Sequence, residues 1–565
     1  MVQGTPRLNK PPLIYWMQSA SAMVFSGGNV GKSGIDSIWM YRIPSLLAAI
    51  GAVLVTWRLG RRMFDERVAV LAAAMLAVCP VMFWEARQAR ADMVLVLCTC
   101  VAMWGLWNCV AGPVRGRRSK VAPQAPPGGG GGFRPFKWSS RAPADDSSVS
   151  PPNVCAATTL VLEPTRAPTL ALAALWLATA AGVLTKGPIT PMVVAFTILF
   201  VAIVAKRWSL LLRVAPVFGL VIILALCLPW LFAVMQRIGA DVYWRTIYDE
   251  TVGRSLAAKE GHTGLPGLSS LPGYHLLFSP LLLFPGSLGL GVGLWSAVRY
   301  VRGTWRSARR GGVAHLRPEV FLAGWLVPTW IVFELVKTKL PHYTMPLYPA
   351  LALLCAKGLL TTAHWAKGFR TSGFARVGIW TWIVGAGMTS AVMWSVPAAA
   401  IEGIPTVGLA AAIVFAAIGA VVTIVLVRML AARLRAGRFG EAVWVAIGGF
   451  ALGAIMLAFA APSIGAIWVT RGVMKAINAA DPQGVRPIAA VGYQEDSLIF
   501  ETRGRAVRLP AEQLKDWFKA NPDGLVVIDE PNAKAFPDLV FKGGTRGFNY
   551  SNGRRVEVTV GTMKK

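Results

Sequence analysis

Acidic residues are scarce in this 565-residue chain: 27 against 57 basic ones, with charged residues of both signs only 15% of the total. Soluble globular proteins carry about 25%. Histidine is rarer still, five residues with no i, i+4 pair, which argues against a metal site on a helix. The seven cysteines form no C-x-x-C pair and no zinc-like spacing with histidine. All but Cys155 lie in apolar runs, so they read as small buried hydrophobes. What the chain has instead is apolar residues, 55% of the total, with a mean hydropathy of +0.53. One soluble core stops growing near ~250–300 residues, so this excess belongs in lipid. Collagenous, disulfide-scaffold and disordered classes are excluded by the same numbers.

An apolar run of about 18 residues or more reads as a membrane-spanning helix, and about twelve are visible. They are 43–60, 68–84, 93–112, 168–185, 188–205, 209–235, 273–298, 319–336, 343–361, 377–396, 404–430 and 442–468. Alternate connections are basic: Arg61, Arg62 and Arg67; Arg115, Arg117, Arg118 and Lys120; Lys206 and Arg207; Arg299, Arg302, Arg306, Arg309 and Arg310; Lys367, Arg370 and Arg376; Arg428, Arg433, Arg435 and Arg438. Basic loops stay in the cytoplasm, so the other set, 1–42, 85–92, 186–187, 236–272, 337–342, 397–403 and 469–565, faces outward. The net charge of +30 is thereby explained by the cytoplasmic loops, without nucleic acid as a partner.

Residues 113–167 are rich in Pro, Gly and Ser and read as a disordered cytoplasmic insertion. Residues 469–565 alternate short strand-like runs (PIAAVGY, SLIFE, GLVVID, VEVTV) with an amphipathic helix around AEQLKDWFKA. They are expected to form a small α/β domain outside the cell membrane. The expected architecture is an all-α polytopic bundle over 43–468, an outer segment over 1–42 and this α/β domain. Neither a signal-peptide pattern nor a span precedes Pro11 in the sequence. An outward start without an entry helix leads us to expect a further span before Met1.

Polar residues cluster at the outward ends of the spans, where they are costly unless they serve a purpose. The clusters are Asn9-Lys10-Pro11-Pro12-Leu13; residues 84–92 with Glu85 and Asp92; Thr185-Lys186-Gly187-Pro188; a long loop with Asp249, Glu250 and Arg254; and Lys337-Thr338-Lys339-Leu340-Pro341-His342-Tyr343. Many cations and a few carboxylates beside lipid suit a phosphate-bearing lipid. Lys and Arg hold the phosphate as charge-assisted donors, and a carboxylate can take a proton from an acceptor hydroxyl. The plainer account of any single cation here is snorkelling, or contact with anionic head groups. Ser26 to Ser33 nearly matches a phosphate-binding loop, but no strand precedes it and Ser26 stands where Gly is needed, so it reads as a surface loop. Trp16, Trp39, Trp84 and Trp244 read as interface anchors.

The order N-K-P-P-L-x-Y-W, Y-R-x-P-S, R-x-x-x-x-D, L-T-K-G-P, E-x-x-x-R and K-T-K-L-P-H-Y-x-x-P-x-Y-P-A-L resembles the bacterial glycosyltransferase 39 and aminoarabinose-transferase group. These are C-type membrane glycosyltransferases, similar also to protein O-mannosyltransferases. The resemblance covers residues 4 to about 361 and is weaker beyond. It implies a sugar donor on a polyprenyl phosphate, and no organic cofactor. It implies that Lys10, Arg254 and Tyr343 contact the donor phosphate, with Lys337, Lys339 and His342 lining the same site. Asp92 matches the acidic residue of the second outer loop, and Arg42, Lys186 and Glu250 match supporting positions. Two departures stand out. The group's first outer loop carries an Asp well before K-P-P-L, in a segment this chain lacks, and the residue before the Lys is Asn9 where an acid is usual. The latter weakens any metal at this spot. Asp92 and Glu85 remain as candidate catalytic carboxylates.

The resemblance therefore implies a bacterial inner-membrane enzyme that moves a sugar from a polyprenyl-phosphate donor to a lipid, lipopolysaccharide, glycan or protein hydroxyl. A non-catalytic protein that binds lipid-linked sugar is the alternative. A transporter or flippase would show paired repeats and mid-membrane ionisable residues, and the sequence shows neither.

Overall fold

The computed structural model describes residues 10–31, 35–111, 168–249, 253, 272–310, 316–337, 339–362, 379, 380, 382, 383, 417, 421, 424–433, 435–460, 468–549 and 554–564. The expected insertion 113–167, most of the expected spans 377–396 and 404–430, and the candidate residues Glu250 and Arg254 lie outside them.

The helices in chain order are α1 (Leu13–Phe25), α2 (Ile38–Met63), α3 (Glu66–Ala77), α4 (Pro80–Ala86), α5 (Asp92–Ala111), α6 (Thr169–Lys186), α7 (Ile189–Ala205), α8 (Ser209–Arg213), α9 (Pro216–Ile238), α10 (Ala240–Tyr248), α11 (Tyr274–Leu282), α12 (Leu290–Arg309), α13 (Pro318–Leu335), α14 (Tyr348–Thr362) and α15 (Phe439–Ala460). Among the described residues, six helices are long and apolar enough to cross a membrane: α2, α5, α6, α9, α13, and α14 with the turn that precedes it. All six coincide with expected spans. The expected spans 68–84 and 273–298 are each a bent pair instead. α3 and α4 meet at 60°, and α11 meets the segment Gly286–Arg309 at 119°. Proline explains both breaks, because the residue before Pro80 or Pro285 is pushed out of helical geometry.

Packing follows the small residues, as expected where lipid removes the hydrophobic drive between helices. α5 is central and almost wholly buried. A Cβ on Gly105 of α5 would sit 2.6 Å from the Ala171 carbonyl oxygen of α6, so this glycine lets two backbones touch. Trp107 of α5 stands edge-on to Phe321 of α13, centroids 5.1 Å apart. By contrast, Gly219 is the buried residue of α9, a helix otherwise half-buried or exposed.

Beyond α15 the chain forms a mixed sheet of five strands: β1 (Ile488–Val491), β2 (Ala506–Arg508), β3 (Leu525–Asp529), β4 (Leu539–Asn549) and β5 (Arg554–Met563). Their order is β2-β1-β3-β5-β4. β2, β1 and β3 are parallel, and β5 joins β3 and β4 antiparallel. The apolar runs of β1 and β3 are buried on both faces, as parallel strands require. On one face lies α16 (Val469–Ala480), through Val469, Val473 and Ile477; on the other lies α18 (Leu514–Ala520), through Leu514 and Phe518. The run SLIFE, expected as a strand, is helix α17 (Asp496–Glu501). A five-residue apolar run does not distinguish strand from helix, and two parallel strands need a crossover, which α17 supplies between β1 and β2.

Candidate active site

The site lies at the end of the bundle where α2 begins, α4 ends, α5 begins and α6 ends. Glu85 sits in the last turn of α4 and Asp92 opens α5, with a tight turn between them. Ser45 of α2 holds that turn, donating its hydroxyl to the Arg90 carbonyl at 2.9 Å. α6 runs antiparallel to α5, so its final residue, Lys186, arrives beside Asp92. Gly187, at φ +67°, stops the helix there.

Lys186 Nζ donates to Asp92 Oδ1 at 2.5 Å. The same ammonium lies 5.3 Å from the centre of the Tyr343 ring, within cation–π range. Glu85 Oε1 accepts from Arg90 Nη1 at 3.3 Å, and His342 Nδ1 lies 4.0 Å from it. Among the described residues Glu85 Oε2 has no hydrogen-bond partner, although Glu85 is only 2% exposed. Asp92 is 4% exposed. Lys10, just before α1, is close enough for its charge to act on Glu85, Asp92 and His342. Pro11 and Pro12 follow it and start the helix, a position that suits proline.

The structure thus brings together Lys10, Glu85, Asp92, Lys186, His342 and Tyr343 from distant parts of the chain. The other described candidates have the following surroundings. Lys337 is exposed after the end of α13. Lys339 is buried and its charge acts on His275. Arg42 is half-buried in the first turn of α2. Among the described residues, no group of three His, Cys, Asp or Glu is placed to hold a metal.

Two residues outside the sequence-derived set hold the Lys-Leu-Pro-His-Tyr turn. Glu334, near the end of α13, accepts the backbone N–H groups of Gly273, His275 and Leu276 at 3.0–3.2 Å. It thereby satisfies the start of α11, where a carboxylate is favoured. The His275 ring, through Nε2, lies 3.2 Å from the Leu340 carbonyl, two residues before His342. The available signal was Glu334 itself, a lone carboxylate in an apolar run.

Residues 9–113 match the family described as dolichyl-phosphate-mannose-protein mannosyltransferase. The undecaprenyl phosphate-alpha-4-amino-4-deoxy-L-arabinose arabinosyl transferase of Pseudomonas aeruginosa (strain LESB58) is 25% identical over 358 residues, 63% of this chain and 51% of its own length. The protein of the same name from Edwardsiella ictaluri is 24% identical over 409 residues, 72% of this chain and 58% of its own. The chain thus spans little more than half the length of the curated relatives it matches. Among solved structures, ArnT from Cupriavidus metallidurans bound to undecaprenyl phosphate superposes with a TM-score of 0.60 at 18% identity, covering 99% of this chain and 89% of that one. Its apo state gives 0.59 at 17%. Sequence motifs, the family match over residues 9–113 and the fold all liken the chain to the aminoarabinose-transferase and protein-mannosyltransferase group of membrane glycosyltransferases.

Proposed function

We propose that the protein transfers a sugar from a polyprenyl-phosphate donor to a hydroxyl acceptor at the outer face of a bacterial inner membrane. The observation that carries this is the convergence, at one end of the bundle, of a half-buried lysine whose charge acts on the carboxylates (Lys10), a buried carboxylate with one oxygen unbonded among the described residues (Glu85), and the pair Asp92–Lys186 backed by Tyr343. The relatives act on undecaprenyl-phosphate-linked aminoarabinose by name, which supports a donor of that class.

Glu85 is the better candidate for the base. Asp92 is committed to Lys186, whereas the Oε2 lone pairs of Glu85 are open. In the proposed step Glu85 takes the proton of the acceptor hydroxyl, whose oxygen bonds to the anomeric carbon. The bond from that carbon to the phosphate oxygen breaks, and the polyprenyl phosphate leaves with the electron pair. Lys10 stabilises the developing negative charge, with Arg254 from the long outer loop as its proposed partner. One inversion of the anomeric centre follows. The α/β region, 469–565, is proposed to lie on the same outer side, over the site. Lipid, lipopolysaccharide, glycan and protein hydroxyls all fit this chemistry.

The test is transfer in proteoliposomes from undecaprenyl-phosphate-linked 4-amino-4-deoxy-L-arabinose, and from the mannosyl analogue, to lipid A and peptide acceptors. Lys10→Ala and Arg254→Ala are each expected to cut the rate about 100-fold, the size of a lost charge-stabilising donor. Parental rates in both variants would refute the site. A parent that binds undecaprenyl phosphate and transfers nothing would refute the enzyme reading.

A further inference from the structure

Arg503 adopts a backbone conformation that its side chain disfavours. It follows Thr502, the C-cap of α17, and has φ +56°. The Arg503 N–H donates to the Phe500 carbonyl at 3.1 Å and the Gly504 N–H to the Ile499 carbonyl at 2.8 Å. That is the paired closing motif of a helix, whose left-handed position is ordinarily glycine. An arginine held there without local need points to work done by its side chain.

The side chain reaches across to the turn between α1 and α2, 467 residues away in sequence. Its Nη2 donates to the Asp36 carbonyl at 2.8 Å, and Nη1 lies 3.3 Å from Asp36 Oδ2. The same oxygen accepts from the Gly31 N–H at 2.9 Å and from the Tyr41 hydroxyl at 3.1 Å. Asp36 is buried, and an aromatic bracket surrounds the pair. The Arg503 guanidinium lies 5.2 Å from the Phe500 ring, which stands edge-on to Tyr41 at 5.7 Å. A buried carboxylate joined to an arginine by charge-assisted bonds is a strong connection.

The position of the contact gives it a consequence. α1 has 13 residues and so spans about 20 Å. Lys10 precedes its first turn, beside Glu85 and Asp92, and its last turn runs into the loop that Asp36 closes. Ser21 donates to the Met40 carbonyl at 2.6 Å and ties α1 to α2 along the way. α1 is therefore a strap, with the candidate phosphate-binding lysine at one end and the α/β unit fastened to the other.

We propose that Arg503 is a positioning residue: through Asp36 it latches the α/β unit to the α1–α2 turn and so fixes the strap that carries Lys10. The role of Lys10 rests on the functional reading above; the latch does not.

Arg503→Gly separates the latch from local folding, because glycine accepts the left-handed backbone and removes only the guanidinium. In the full chain, amide exchange in the α1–α2 turn is expected to rise at least ~10-fold, while exchange in β1 and β3 stays parental. The Kd for undecaprenyl phosphate is expected to rise about 3- to 10-fold, the loss of a charge-assisted contact acting at second hand. Arg503→Lys, which keeps the charge, is expected to recover part of both effects, and Asp36→Asn to reproduce them. Parental exchange in the turn of Arg503→Gly would overturn the latch. Faster exchange with an unchanged Kd would overturn the positioning role while leaving the contact. A parent that binds no undecaprenyl phosphate would remove the site reading and the positioning role together, and the exchange measurement would still decide the latch.

Discussion

Asp481 in the α/β unit and Glu85 at the end of the bundle are both buried carboxylates beside an arginine, and their surroundings differ. Asp481 is saturated. Its Oδ1 accepts from the Val485 N–H at 3.2 Å, and its Oδ2 accepts from the Arg486 N–H at 3.0 Å and from Arg505 at 2.8 Å. Glu85 has one oxygen beside Arg90 and His342 and a second with no partner among the described residues. A buried polar atom without a partner is costly, so a fold that only needed stability would fill it. The α/β unit uses its carboxylate to close a turn. The bundle leaves half of its carboxylate open at the place where the lysines gather.

Asp92 lies between these extremes, and the largest effect on stability is expected there. Lys186→Met leaves Asp92 buried without its cation, and thermal unfolding in detergent should show a loss of about 3–5 kcal/mol. Replacing the pair together, Lys186→Met with Asp92→Asn, should return most of it. A single variant as stable as the parent would mean that Asp92 is as open as Glu85, which would break the comparison.

A smaller effect is expected in the α/β unit. Asp481→Asn should lower the local stability of the sheet by about 1–3 kcal/mol, the range for bonds to a charged group, and leave undecaprenyl phosphate binding parental. Burial raises the proton affinity of Asp481, but the Arg486 and Val485 N–H groups and Arg505 outweigh it, so its carboxyl is held below the ordinary aspartate range. A depressed carboxylate stabilises the fold above its unfolded value and loses that contribution as pH falls through its folded value. Amide exchange in β1 should therefore accelerate on acidification below the ordinary aspartate range, and less so in Asp481→Asn. An identical acid response in both proteins would contradict this.

The smallest effect is expected at Lys337. It is exposed, and Lys337→Ala should change stability by no more than ~0.5 kcal/mol and leave donor binding unchanged. A large loss of binding would place it in the donor site that the resemblance implies.

The bundle was legible because runs of apolar residues and basic loops are local signals, and the motifs carrying Lys10, Asp92, Lys186, His342 and Tyr343 each sit in one short stretch. Roles for them come only from resemblance and stand as proposals. Contacts set by tertiary packing were not legible. Nothing in the order of residues says that Asp36 meets Arg503, or that Glu334 closes the helix leading to His275 and so holds the turn before His342. The helix at SLIFE was missed for a related reason. Its conformation is required by the parallel pairing of β1 and β2, which no five-residue window contains. Lys339 was assigned by resemblance, and the nearness of its charge to His275 was not legible in the sequence.

Transfer is proposed to depend on the half-open carboxylate of Glu85. The most direct measurement compares Glu85→Gln with the parent for binding of undecaprenyl phosphate and for the rate of sugar transfer in proteoliposomes. Binding is expected to stay within about threefold, since the amide keeps the shape and the lysine remains, while transfer falls by about 10²–10⁴, the usual worth of a positioned base. Transfer at the parental rate would contradict the account and move the base to another residue.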